Sequence, residues 1–483
     1  MRSRRFYAAA VLLVATAGCT TVGPTFERPA VELPAVYHTP VPALFRDTPA
    51  VEHWWELLGD EQLNRLIAHG LADNLGLRAA ASRVLEARAL ARGAAARSGP
   101  RLDAGASGAV DATRDLEGDR DRTVRSADVF LQGFWEIDLF GRLARVREAA
   151  WAEAERQQAL ADEAARLTVA EIARTYVELR AAEQRLQLTE QSLELQRQTL
   201  KLVRARVDAG LAPGLDQVRA QAAVATLEAD VGPLRSEIGR LQNALAVLVG
   251  EPPGALAEML AERGSIPSVR TGAMIGVPVD LVRRRPDVRA AELLVAVATA
   301  EVGIATAELY PRLTLPGVLS VGYTNSPVAA ARRSLLTSLS LLLDVPLYDG
   351  GERRANVTAA EERLMQSALL YEERLLRALE EVEAALLGYT GALARRDALV
   401  TAVENNRLAY EQSQHLYRQG LITFLDVLDS QREWNESLQE LATAEQALAL
   451  EFVNLYSALG GGAGMAPVPD RRAEVAANAT QSR

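Results

Sequence analysis

Two acids one helical turn apart, Asp426 and Asp429, follow a glycine turn in YRQGLITFLDVLDSQ (417–431). Nearly the same words occur earlier, in VDAGLAPGLDQVRAQ (207–221). Gly210, Leu211, Asp216 and Gln221 match Gly420, Leu421, Asp426 and Gln431 at a constant offset. One position changes sign, Arg219 becoming Asp429. The i, i+3 spacing puts Asp426 and Asp429 on one helix face. Repeated about a threefold axis, they would set six carboxylates around one aperture. Like charges crowded in a narrow pore raise one another's pKa and attract cations. The simpler alternative is that acids near a helix amino terminus favour its dipole. That explains Asp216 and Asp426 better than Asp429, whose counterpart tolerates an arginine.

The other reactive candidate is Cys19, the one cysteine of the chain. Arg2, Arg4 and Arg5 precede the apolar run FYAAAVLLVATAG (6–18), which is too short for a membrane-spanning helix and fits a secretory signal over 1–18. Ala17 and Gly18 before the cysteine look like a bacterial lipobox, in which the thiol is alkylated by diacylglycerol; Thr16 stands where leucine is commonest. A plain signal peptide with an incidental cysteine is the alternative. The four histidines (His38, His53, His69, His415) show no metal-ligand spacing, and no nucleophile elbow, P-loop or glycine-rich phosphate cradle is present. The residues call for no metal or cofactor beyond a covalent lipid, and an enzyme is not expected.

What must position these residues is mostly helical. The 483 residues are 49% hydrophobic but only 5% aromatic, a mix that suits long helices better than a compact enzyme core. The net charge of −10, with no basic block, argues against nucleic acid as a partner. Between Gly141 and Gly210 there is neither Gly nor Pro, which predicts a rod of roughly 100 Å, and Glu352 to Gln419, interrupted only at Gly388 and Gly391, is its counterpart. Each rod ends at a quoted turn and leads into a returning helix, Leu215 to Val249 with a break expected at Gly232-Pro233, and Phe424 to Leu459. Prolines at 24, 29, 34, 40 and 42 predict an extended arm over 19–52.

Four stretches of period two (101–113, 127–139, 311–324 and 337–347) predict strands, paired as hairpins across polar segments at 114–126 and 325–334. A half-buried strand of a soluble sandwich would look similar, but hairpins between very long helices in an exported chain resemble a transmembrane barrel. The segment 73–102 aligns with 284–313, so each half reads helix, hairpin, long helix, turn, returning helix. The expected division is 53–260 and 261–459, with a disordered tail at 460–483. Four strands cannot close in lipid, because open edges leave backbone groups unpaired. Two chains would give eight strands and a filled barrel; three would give twelve and a lumen.

VGPTFERPAVELP, HWWELLGDEQLNRLIAHGL (53–71), GVPVDLVRRRPDVRAAE (276–292) and the paired turns resemble the TolC-type outer-membrane efflux proteins, closest to the lipoprotein branch serving resistance-nodulation-division pumps. The resemblance runs from about residue 19 to about 460. It implies a mixed α and β fold: a homotrimer whose twelve-stranded β-barrel in the outer membrane continues as a twelve-helix barrel through the periplasm. Such a duct is passive and joins a periplasmic adaptor and an inner-membrane pump. On this resemblance Gly210, Leu211, Gly420 and Leu421 dock the adaptor, Asp426 and Asp429 line a periplasmic gate, and an Asp216–Tyr417 hydrogen bond helps to close it. Ile422 stands where some relatives add a basic residue to that closure, and Gly76 stands where relatives usually carry Asp, which puts a local helix start in question. The alternatives are an exit duct for type I protein secretion or heavy-metal efflux, or a soluble periplasmic coiled-coil scaffold.

Overall fold

A computed structural model describes residues 20–32, 34, 37–39, 52–114, 122–262, 264–268, 284–326 and 329–462. The signal segment, Cys19, much of the arm and nearly all of the tail lie outside the described residues. A 3-10 turn at Trp54–Leu58 precedes α1 (Glu61–Asp73) and α2 (Leu75–Ala96). The hairpin β1 (Arg101–Thr113) and β2 (Arg122–Ile137) leads into α3 (Arg142–Asp208) and α4 (Gly214–Leu248). The order then recurs as α5 (Pro286–Ala307), β3 (Arg312–Ser326), β4 (Ala329–Leu339), a short β5 (Leu342–Asp344), α6 (Glu352–Arg418) and α7 (Phe424–Ala458). Both long helices have 67 residues and both returning helices 35, each starting 210 residues after its counterpart (352 − 142 and 424 − 214).

The expected break at Gly232-Pro233 does not occur: Pro233 sits inside a continuous α4. Proline removes one donor from the helix ladder, but Gly232 and Pro233 are exposed, so water can take the freed carbonyl. At Gly76 the helix start is secured by its neighbour, because Asn74 Oδ1 accepts the Leu77 amide at 3.0 Å.

The strands form one antiparallel sheet in the order β1-β2-β3-β4, with β5 also pairing β3. They run further into the polar segments than the alternation suggested, taking in 122–126 and 329–334. The fourth stretch is also divided, β4 pairing the far half of β3 and β5 pairing Arg312–Thr314. Pairing across the sheet stacks like with like. Ala106, Val129, Val321 and Leu335 lie in one row, and Leu102, Gly133, Gly317 and Leu339 in another. The opposite face carries Asp103 beside Gln132 and Ser107 beside Asp128. Val129, Val321, Leu335 and Leu339 are all more than half exposed, so the apolar face is bare within one chain. Both edges of the sheet, β1 and β4, are open as well.

Two compact units divide the chain, one made of 1–30, 83–157 and 290–372 and holding the sheet, the other of 31–82, 158–289 and 373–483. The second unit has its core around Trp54, Tyr176, Phe452 and Tyr456, with Trp54 stacked on Tyr456 at 6.0 Å. α5 is apolar and long enough to cross a membrane by composition, but Val288, Leu293, Val295 and Val302 are buried, which marks a packed helix.

Candidate functional site: the paired turns

Each long helix ends in the same hydrogen-bonded stop. Gly210 N donates to Val207 O at 2.9 Å and Leu211 N to Arg206 O at 2.8 Å; Gly420 N donates to Tyr417 O and Leu421 N to Leu416 O, both at 3.0 Å. This is the Schellman arrangement, and it needs a residue at positive φ. Gly210 (φ 70°) and Gly420 (φ 76°) supply it. Leu211 and Leu421 follow at 69% and 66% exposed, so both turns present a leucine with no cover in the chain.

Beneath the turns Val203, Ala220, Tyr417, Phe424 and Val427 form a small buried core, with the Tyr417 and Phe424 rings 5.8 Å apart. Arg206 joins the two turns. Its guanidinium lies 4.5 Å from the centre of the Tyr417 ring, and Nη1 donates to Tyr417 O at 3.2 Å. The anticipated Asp216–Tyr417 hydrogen bond is not formed within the chain, because the buried Tyr417 hydroxyl has no hydrogen-bond partner. Asp216 is buried close by. Burial pushes the Tyr417 hydroxyl up, Arg206 draws it back and Asp216 raises it again. Arg206 takes the ring face and the carbonyl, so the polar contact between the turns runs through the arginine.

Asp426 and Asp429 share a face but have different surroundings. Asp426 Oδ2 accepts from Thr423 N at 2.8 Å and from Thr423 Oγ1 at 2.6 Å, the returning half of a capping box. These bonds hold its carboxyl below the usual range. The first copy has Pro213 at the capping position, so Asp216 has no such task. Asp429 is half exposed and 3.7 Å from the more exposed Arg432. Arg219 and Asp429 line one groove. Among the described residues no group of His, Cys, Asp and Glu could hold a metal. His415 is an exposed neighbour of Gln419 at 2.9 Å.

Sequence reasoning missed Arg206 and a second constellation at RRPDV. Arg285, fully buried, donates from Nε to Asp287 Oδ1 at 3.1 Å, from Nη1 to Ala458 O at 2.8 Å and from Nη2 to Glu381 Oε2 at 2.5 Å. Arg374 Nε also reaches Asp287 Oδ2 at 2.6 Å. Burial would raise the Asp287 carboxyl, but the two guanidiniums hold it at about 2. The signal was present: Pro286 at a helix start, flanked by opposite charges, fixes both side chains at one end.

A profile of the family described as "Outer membrane efflux protein" matches twice, at residues 66–251 and 277–461. The chain belongs to that family. Nodulation protein T of Rhizobium leguminosarum bv. viciae is 30% identical over 94% of this chain and 93% of its own. Outer membrane protein OprJ of Pseudomonas aeruginosa is 31% identical over 96% and 97%. The solved outer-membrane channel OprN superposes with a TM-score of 0.83 at 32% identity, over 92% of this chain and all of that one. The fold is that of the family's trimeric channels, in which chains share a β-barrel and a helical barrel. The double match is the internal duplication. The protein is an outer-membrane efflux channel of a Gram-negative bacterium, extending into the periplasm, and the proteins it resembles are channels and not enzymes. The bare apolar face and the open edges have their reason in that setting: lipid covers the face and neighbouring copies the edges.

Proposed function

We propose that the chain is the passive exit duct of a tripartite pump, with its paired turns serving as both adaptor dock and gate and with no catalytic step. Three copies would close the barrel. Six tips would then face the periplasm, and Gly210–Leu211 and Gly420–Leu421 would seat the hairpins of an adaptor joined to a resistance-nodulation-division pump. The observation that carries this reading is the exposed leucine that follows a positive-φ glycine at the end of both 67-residue helices. Asp429, with Asp426, lines the aperture in this reading, and Arg206 over Tyr417 holds the turns together. A lipid on Cys19 adds an anchor. Relatives include a "Cation efflux system protein CusC" and a "Pyoverdine export outer membrane protein OpmQ", so the cargo is set elsewhere in the pump and small exported molecules of several kinds fit the duct.

The test is conductance in planar bilayers. Asp426→Asn keeps an oxygen for Thr423, and Asp429→Asn alters an exposed site, where a change is usually worth about ±0.5 kcal/mol or less. The double variant should assemble normally and lose most of the cation selectivity and multivalent-cation block of the parent protein. Unchanged selectivity in intact trimers would leave the two acids as helix-end residues only.

A further inference from the structure

A groove of about 1030 Å³ lies in the second unit between α3, α4 and α7. Along its seam, polar residues on α3 and α7 meet as rungs. Gln439 Nε2 donates to Thr189 Oγ1 at 3.2 Å, and one turn nearer the tip Ser192 Oγ donates to Asn435 Oδ1 at 3.0 Å. The helices are antiparallel, so the same register sets Gln196 opposite Gln431 at the next rung. This rung is open. Gln196 and Gln431 are 2% and 1% exposed, yet Gln196 Nε2 and both amide atoms of Gln431 have no hydrogen-bond partner.

Buried amides are normally paired, because an unmade bond leaves the full desolvation penalty. Two facing orphans beside a cavity of small-molecule size are therefore a feature that needs a partner. Leu227, Leu234, Leu425 and Leu428 line the same groove. Among its lining charges, Arg432 stands 3.7 Å from both Asp429 and Glu436, and Arg185 3.1 Å from Glu237. We propose that the groove is a cargo subsite for a neutral amphiphile carrying a carboxamide: the amide group would complete the Gln196–Gln431 rung with its own donor and acceptor, and the aliphatic part would lie along the leucines. For its role in transport the proposal rests on the exit-duct reading; as a binding site it stands apart from it.

The experiment uses full-length trimer in lipid nanodiscs, with octanamide as the probe and methyl octanoate, which has no donor, as the control. Equilibrium dialysis should show saturable octanamide binding, and methyl octanoate should bind at least tenfold more weakly. Gln196→Met/Gln431→Met should weaken octanamide at least tenfold while leaving the melting temperature equal or higher, because it removes two unpaired polar groups. A diazirine-bearing octanamide should label α4 and α7 around Leu227 and Leu428, which also serves if the double variant does not assemble. Non-saturable binding, equal affinity in the double variant, labelling elsewhere, or a neighbouring copy filling the groove would each overturn the proposal. Failure of conductance with octanamide binding intact would instead count against the duct.

Discussion

Replacing Asp287 by alanine should be among the most damaging single changes outside the tips. Arg285 is fully buried and depends on Asp287, Glu381 and the Ala458 carbonyl for its donors, while Arg374 shares the same carboxylate. Breaking a buried ion pair by removing one partner typically costs about 3–5 kcal/mol, because the other charge stays desolvated. Glu381 remains as a second carboxylate, itself 40% exposed, and places the expected cost near the lower end, about 3 kcal/mol. The pH dependence follows from the sign of the shift. The folded carboxyl sits at about 2 against 3.8, so its ionised form adds about 2 kcal/mol that is fully present above pH ~4 and is lost as pH falls through ~2. Urea unfolding of the solubilised protein at pH 7 and pH 3 gives both numbers. The variant should fall short of the parent at pH 7, and the gap should narrow as pH drops below 4. A loss below 1 kcal/mol at pH 7, or a gap that widens in acid, would refute the reasoning.

Three further changes follow from the structure. Tyr417→Phe should leave conductance and stability unchanged, since the hydroxyl has no partner in the chain, whereas Arg206→Ala should raise conductance and cost about 1 kcal/mol by removing the guanidinium from the ring; a conductance rise in Tyr417→Phe would reinstate a hydroxyl link. Gly303→Val should loosen the arm and cost about 1–3 kcal/mol, because a Cβ there would meet Arg145 at 2.8 Å and the arm crosses at Gly23; limited proteolysis should cut residues 20–32 faster, and equal protection would count against a tight crossing. Cys19→Ser should abolish labelling by a fatty-acid analogue, and persistent labelling would rule that site out.

The long helices were legible because nothing in 142–208 interrupts them, and the turns were legible because the glycine and leucine recur at a fixed offset. The strands were legible in type but not in extent. Arg122–Ser126 and the segment before Ser334 lack the alternation, and their neighbours in the sheet hold them extended. Pro233 misled for a related reason: the cost of an interior proline is local, while α4 is held by buried residues at its two ends, Asp216 and Ala220 at one and Leu241, Leu245 and Ala246 at the other. The Arg206–Tyr417 contact could not be read from spacing, since its members stand 211 residues apart in sequence. The family resemblance pairs Asp216 with Tyr417, but within the chain the Arg206 guanidinium occupies the Tyr417 ring face, which a carboxylate would not.

The sign change at Asp429 gains its meaning from what the duplicated turns do differently. Pro213 starts α4 with its own fixed φ and asks nothing of Asp216. Thr423 starts α7 and draws Asp426 into two hydrogen bonds, so this acid is turned back onto its own helix. Asp429, one turn further on, has only an exposed arginine at 3.7 Å and remains available to a lumen. A threefold set of these tips would then present three Asp429 carboxylates, each beside an exposed Arg432, and three Arg219 guanidiniums. Any cation selectivity must come from Asp429 projecting where Arg219 does not, for a ring of matched charges attracts neither sign. The duplication supplies the scaffold twice, and the divergence within one helical turn is what makes its two halves chemically distinct.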